Sequence, residues 1–389
     1  MEVSSVETIR VAAHPNVIWV QVRTEDGNVG LGESWYGAAA IEAYVHDVLA
    51  ARILGRDARN IEALNLAMTT QPQAQSSTGV EYRAASAIDI ALWDILGKLT
   101  GQPVHVLLGG QSHERVRIYN TCAGPAYGGG RGKAGDFEDL HAFTHHADWL
   151  AEDLLESGIS AMKIWPFDPI ARETGGVSIS RDQMKRGLEP FEKIRRAVGD
   201  RMDIMVEFHS MWKLPAAKQI ARALEPYDPT WFEDPIRMND PRALADYNTS
   251  THVPVCAGET LGTRWPYRDM LEAGAIDIAM VDIAWTGGLT EARKIAALAD
   301  TFHKPFAPHD CIGPVGLVAG VHTAISQPNA FIQETVRAYY RGWYADFVTE
   351  LPRIADGHVY PMEGPGLGTQ LQSGVRERDD ATVRVSERA

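Results

Sequence analysis

Along the first hundred residues the apolar positions change period. Residues 16–23 form a run rich in Val, Ile and Trp that reads as a strand, and Asp26-Gly27 supplies a hairpin signal before a second apolar run over 29–33. Ala85, Ile88, Leu92, Ile95, Leu96 and Leu99 then follow i+3/i+4 spacing, which predicts a helix that Gly101 and Pro103 end. This stretch reads as an α+β domain over residues 1–112.

From about Arg117 the rhythm becomes one of short apolar strands separated by helical patterns. The strands are expected at 117–122, 161–165, 203–208, 230–233, 254–257, 277–283, 305–308 and 331–334, with a helical pattern such as 291–301 between neighbours. Eight such units predict an α/β fold with a (β/α)8 barrel over residues 113–349, a doubly wound sheet being the alternative. Beyond Glu350 the chain turns rich in glycine and proline, and residues 350–389 are expected to return to the first domain. Two irregular stretches, 69–78 and 166–179, read as binding loops.

Composition narrows the function. The 389 residues are 45% hydrophobic, enough for a large core. A net charge of -14, with no basic patch to override it, argues against nucleic acid and anionic membranes. The three cysteines stand far apart and in no metal-ligand spacing, which suits a reducing compartment. The start, Met1-Glu2-Val3-Ser4-Ser5, has no basic or apolar signal character. No segment reaches the roughly 18 apolar residues of a membrane helix, so a soluble cytoplasmic protein is expected.

The chemistry stands at the strand ends. Glu207, Glu233 and Glu259 close or follow three successive strands, and in a barrel such ends lie side by side on the face where active sites form. Three carboxylates at close range repel, and a divalent cation relieves the repulsion. All-oxygen donors favour Mg²⁺, with Mn²⁺ as an alternative. Taken singly, each glutamate would serve equally well as an ordinary ion-pair partner. The series continues with Asp282, His309 and Glu334. Asp282 and His309 suit a dyad in which the carboxylate fixes the imidazole as a base. Glu334 is a candidate donor to a developing oxyanion or else a surface carboxylate. Lys163, ending the second strand, is a candidate partner for a substrate carboxylate. His209, two residues past Glu207, is a candidate proton donor or a supporting group.

These residues sit within motifs that together resemble the enolase superfamily and its mandelate racemase subgroup: Gly32-Glu33-Ser34, Ala87-Ile88-Asp89-Ile90-Ala91-Leu92-Trp93-Asp94, Phe232-Glu233-Asp234-Pro235, Ala257-Gly258-Glu259-Thr260 and Pro365-Gly366-Leu367-Gly368. The resemblance spans nearly the whole chain. It implies a barrel capped by an α+β domain whose loops, around Trp35-Tyr36 and between 69 and 78, set specificity. It implies Mg²⁺ on Glu207, Glu233 and Glu259, a base dyad of His309 and Asp282, and a homo-oligomer. Many members carry Lys-x-Lys on the second strand, but here the second position is Trp165, which accepts no proton and is left to contact substrate. Glu207-Phe208-His209 resembles the Asp-x-His element of D-galactonate dehydratase-like members, in which the histidine assists loss of a β-hydroxyl. The expected activity is dehydration of a sugar acid, aldonate or aldarate, to a 2-keto-3-deoxy acid through an enediolate. The alternatives are a cycloisomerase or epimerase using the same enediolate and a non-catalytic sugar-acid-binding barrel.

Overall fold

The computed structural model describes residues 1–70, 79–132 and 137–388. Its first layer is a four-stranded antiparallel sheet. Strand β1 (Val3–Val11) pairs with β2 (Val17–Thr24), which pairs with β3 (Val29–Trp35), and the tail strand Ala381–Glu387 pairs with the free edge of β1. The β2–β3 turn is the one the Asp-Gly pair calls for: Gly27 has a φ of 83° and donates its N–H to the Thr24 carbonyl at 2.9 Å. β1 escaped the pattern reading because Ser5, Glu7 and Thr8 are buried among its valines. Buried polar groups persist when paired. Thr8 Oγ1 meets His46 Nε2 at 2.8 Å, and Glu7 pairs with Arg376 at 3.1 Å.

Helix Val80–Thr100 packs on this sheet and ends at Gly101, whose φ of 67° makes it a left-handed cap. Its approach to β3 depends on two glycines. A Cβ on Gly32 would lie 1.8 Å from the Ala87 carbonyl oxygen, and one on Gly30 would lie 2.0 Å from that of Ala91.

The second layer is the barrel, whose strands are β4 (Val116–Thr121), β5 (Ala161–Ile164), β6 (Asp203–Glu207), β7 (Trp231–Glu233), β8 (Val255–Ala257), β9 (Ile278–Asp282), β10 (Phe306–His309) and β11 (Gln333–Thr335). β4 to β10 pair in parallel and in sequence order, and β11 pairs back onto β4. A Phe306–Ala330 bridge and the Phe331 N–H on the Phe306 carbonyl, at 2.8 Å, close the gap between β10 and β11. The interior is filled by Tyr119, Met205, Trp231, Met280 and their neighbours, as a packed barrel requires. The last strand starts at Gln333, two residues into its apolar run, whose first residue, Phe331, is exposed.

One expectation needs correction. Residues 166–179 are not one irregular loop, because 168–174 form a helix, Asp168–Thr174. Pro169 stands at its first turn, where a missing N–H costs nothing, and Gly175 at φ 63° caps its end, so the Pro and Gly content marks helix boundaries rather than a loop. Of the other proposed loop, 71–78 lie outside the described residues. Among the described residues no helix is long and apolar enough to cross a membrane.

Candidate active site

Glu207 and Glu233 end β6 and β7 in register with each other, and Glu259 lies two residues past β8. The chain between β8 and Glu259 must pass tightly: Gly258 has a φ of 128°, and a Cβ there would sit 2.6 Å from the Tyr267 ring. One carboxylate oxygen from each glutamate falls within 4.8 Å of the others. Burial pushes the pKa of Glu207 up to about 8, with the Glu259 charge adding to the rise, and Glu207 Oε2 has no hydrogen-bond partner. Burial likewise pushes Glu233 well above the carboxylate range, with Lys163 opposing and Glu207 adding. An all-oxygen, buried, self-repelling set with an orphaned oxygen fits one hard divalent cation. Among the described residues no other cluster is placed to hold one.

Lys163, on β5, is the only ammonium facing this group among the described residues. It pairs with Glu233, lies 2.9 Å from Glu334 and 3.8 Å from Glu207. Burial opposes its charge, but Glu233 and Glu334 outweigh it and hold its pKa well above the usual lysine value. Glu334, at the centre of β11, accepts from Thr121 Oγ1 and, at 2.9 Å, from the Asp310 N–H. Burial would raise its pKa, yet Lys163 and His309 bring it below the ordinary glutamate value, and toward Thr121 and the Asp310 N–H it is an acceptor.

His309 ends β10 beside Asp282 on β9, with Nδ1 2.7 Å from Asp282 Oδ2. Asp282 Oδ1 accepts the Ala284 N–H at 2.8 Å, which fixes the carboxylate. The other ring nitrogen of His309, Nε2, faces Glu259 at 3.1 Å and Glu334 at 3.7 Å. Burial disfavours its charge, and Glu259, Glu334 and Asp282 together overcome that to raise its pKa well above the usual value.

His209 stands on the other side. Both it and Ser210 adopt left-handed backbone angles (φ 48° and 57°), a strained pair that turns the imidazole into the mouth. Its backbone N–H donates to Glu207 Oε1, and its ring Nε2 lies 3.4 Å from the Tyr127 hydroxyl. Nδ1 approaches Asp168 Oδ2 at 2.9 Å, close but off the line of a straight hydrogen bond. Burial lowers the pKa of His209, and Asp168 more than restores it. The Trp165 ring packs edge-on to His209 with centroids 5.8 Å apart.

These groups surround a cavity of about 260 Å³. Trp35, Tyr36, Lys163, Trp165, Glu207, His209, Glu259, His309 and Glu334 all line it, while Glu233 and Asp282 sit behind Lys163 and His309. Sequence reasoning missed Arg83, Thr121, Tyr127, Asp168 and Trp285. Thr121 closes the first barrel strand and Trp285 stands three residues past Asp282, so the strand-end rule would have found both. Asp168-Pro169 carries a helix-start signal. Arg83 comes from the other domain and has no local mark.

Two family models account for most of the chain: Mandelate racemase / muconate lactonizing enzyme, N-terminal domain, over residues 3–109, and Enolase C-terminal domain-like over residues 147–375. Among solved structures, an enolase of the mandelate racemase subgroup from Agrobacterium tumefaciens is 47% identical with a TM-score of 0.91, covering 100% of this chain and 99% of its own. An enolase protein from Sargasso Sea environmental DNA is 45% identical with a TM-score of 0.92 and the same coverage. The D-galactonate dehydratase of Ralstonia nicotianae is 30% identical over 96% of this chain and 93% of its own length. The D-xylonate dehydratase of Haloferax volcanii is 30% identical over 95% and 87%.

Proposed function

The chain belongs to the enolase superfamily, in its mandelate racemase subgroup, and from that premise we propose that it is a Mg²⁺-dependent dehydratase of a sugar acid, yielding a 2-keto-3-deoxy acid. The observation that carries the reading is the placement of two histidines across one cavity, each beside a carboxylate, with the glutamate triad between them. The sugar-acid dehydratases among its relatives support the same class.

Bound at Glu207, Glu233 and Glu259, Mg²⁺ supplies the charge that offsets the triad and acidifies the carbon next to the substrate carboxylate. Mn²⁺ meets the same donor requirements. His309 Nε2, with Nδ1 held by Asp282, takes the α-proton. Lys163 then balances the charge that moves onto the carboxylate oxygens, with Glu334 orienting its ammonium. His209 gives a proton to the β-hydroxyl as the C–O bond breaks, water leaves, and the resulting enol becomes the 2-keto acid. Each tenfold in rate corresponds to about 1.4 kcal/mol of barrier, so the electrostatic part of the site must supply most of what a single base cannot.

The test is a panel of sugar acids assayed for 2-keto product and for α-proton exchange in heavy water, with Mg²⁺ and with chelator. Activity should require the divalent ion. His309→Asn should lose exchange and product together. His209→Asn, with metal content checked, should keep exchange while dehydration falls by roughly 10²–10⁴-fold. A metal-loaded His209→Asn that dehydrates at the parent rate would remove His209 from the reaction. The Asp168–His209 pair also favours a second reading, epimerisation with His209 as the base on the opposite face. Solvent deuterium in both α-epimers and no 2-keto product would select it.

A further inference from the structure

Arg83 reaches the cavity from the capping helix Val80–Thr100. Its guanidinium carbon lies 4.5 Å from the Trp285 ring centre and 5.5 Å from that of Tyr36, so the planar group is held between aromatic surfaces. Among the described residues one donor is used: Nη1 gives a hydrogen bond to the Tyr36 carbonyl at 2.9 Å. Nε is buried and has no partner among them. Among the described residues no carboxylate lies within ion-pair reach of it, although Asp282 and Glu259 stand nearby in the same wall.

Among the described residues the cavity lining holds two side chains of fixed positive charge, Lys163 and Arg83. Lys163 stands at the triad, paired with Glu233 and Glu334, where the reacting carboxylate is placed. The sequence of contacts from the metal triad runs from Glu259 to His309 at 3.1 Å, then from the His309 ring to that of Trp285 at 5.6 Å, and then to Arg83. The His309 and Trp285 rings therefore stand between Arg83 and the triad along this wall, with Asp282 and Glu259 near enough to act on its charge. A guanidinium with free donors in an aromatic corner is a fork for a planar anion, and a neutral hydroxymethyl group there would leave it unmatched. The geometry points to a second carboxylate on the substrate at Arg83, so that the sugar acid taken is a dicarboxylate, an aldarate, with the reacting carboxylate at the triad and the far one on the guanidinium. This rests on the dehydratase reading above and departs from the aldonates for which the curated relatives are named.

The test pairs acids that differ only at the far carbon: D-gluconate with D-glucarate, D-galactonate with galactarate and D-mannonate with D-mannarate, plus 6-phosphogluconate, all with Mg²⁺. The expected result is a kcat/KM for a diacid that exceeds that of its matched monoacid by roughly 10- to 100-fold, the range for a lost charged hydrogen bond. Arg83→Gln should erase that ratio mainly through KM, and Arg83→Lys, which keeps charge but not the fork, should restore part of it. Equal or better use of the monoacid, or of the phosphorylated acid, by the unaltered enzyme overturns the assignment and leaves the dehydratase reading standing. A diacid preference that survives Arg83→Gln also overturns it. Absence of both α-proton exchange and 2-keto product across every pair takes down the dehydratase reading and the inference with it. The ratio for the unaltered enzyme decides even where a variant fails to fold.

Discussion

Asp168 does nothing visible in the sequence, yet it is the carboxylate that addresses His209. Its side chain is buried at the start of its helix, its Oδ1 has no hydrogen-bond partner, and Arg172 reaches Oδ2 only from the exposed side at 3.3 Å. The pair resembles Asp282 and His309 with two differences: Asp282 is fixed by a backbone N–H where Asp168 lacks an equivalent bond on Oδ1, and His309 Nδ1 hydrogen-bonds its carboxylate where His209 Nδ1 is off the line. Asp168→Asn keeps the shape and removes the charge that steers the imidazole. We expect dehydration to fall about tenfold or more while α-proton exchange through His309 stays near the parent rate, a split that isotope exchange and product assays read together. Equal loss of both would make Asp168 a packing residue. The site residues legible in the sequence were those at strand ends, because a barrel turns chain order into spatial order. Asp168 and Arg83 were not, since a helix after β5 and a helix of the cap bring them in by tertiary packing alone.

The same distinction holds for the elements. The eight barrel strands stood out because each is short, apolar and followed by a polar end, and β2, β3 and the long helix had clean periods. β1 was hidden by polar residues that are buried in pairs, and the helix at Asp168–Thr174 by the Pro and Gly that bound it. What no period reveals is how closely two elements approach. Gly30 and Gly32 alternate with Leu31 and Glu33 on β3 and present their bare Cα atoms to the helix Val80–Thr100. Gly32→Ala would put a methyl carbon into the Ala87 carbonyl, and a backbone atom cannot rotate away as a side chain can. The helix would have to lift, at a cost of about 1–3 kcal/mol or more in denaturant unfolding. Because Glu33 and Trp35 lie on the same strand, the displacement should also lower affinity for substrate. Gly27→Ala, in the exposed hairpin with nothing within 4 Å of the added carbon, should cost only the strain of its φ of 83° and leave binding unchanged.

Cap, barrel and tail are joined by three buried carboxylates from the motifs that carried the family resemblance. Glu33 Oε1 and Oε2 accept the N–H groups of Gly316 and Val315 at 2.9 and 3.3 Å, in the first turn of the barrel helix Pro314–Ser326. Asp89 accepts the Thr290 N–H at 3.0 Å, and Asp94 takes those of Leu31 and Leu367 at 2.8 Å, which ties the tail to the cap. Burial pushes Glu33 up to about 8 and Asp89 to about 7, against 4.5 and 3.8 for the free side chains, while the backbone donors pull the other way without winning. The native state thus holds protons that the unfolded chain has released, and linkage fixes the sign. Between about pH 4 and 8 the unfolded state binds fewer protons at these sites, so their contribution is fully present below the free-side-chain values and is lost as pH rises through 7 and 8. Other carboxylates titrate in the opposite sense at the acid end, so the diagnostic is a difference. Glu33→Gln is neutral at every pH, and its stability relative to the parent should climb from pH 5 to 8 by up to about 1.4 kcal/mol per unit before levelling off. Thermal unfolding of both proteins at fixed Mg²⁺ measures it. Parallel curves across that range would mean that Glu33 stays ionised in the folded protein, with the helix N-terminus of Pro314–Ser326 supplying enough charge to keep a carboxylate at the seam between the two domains.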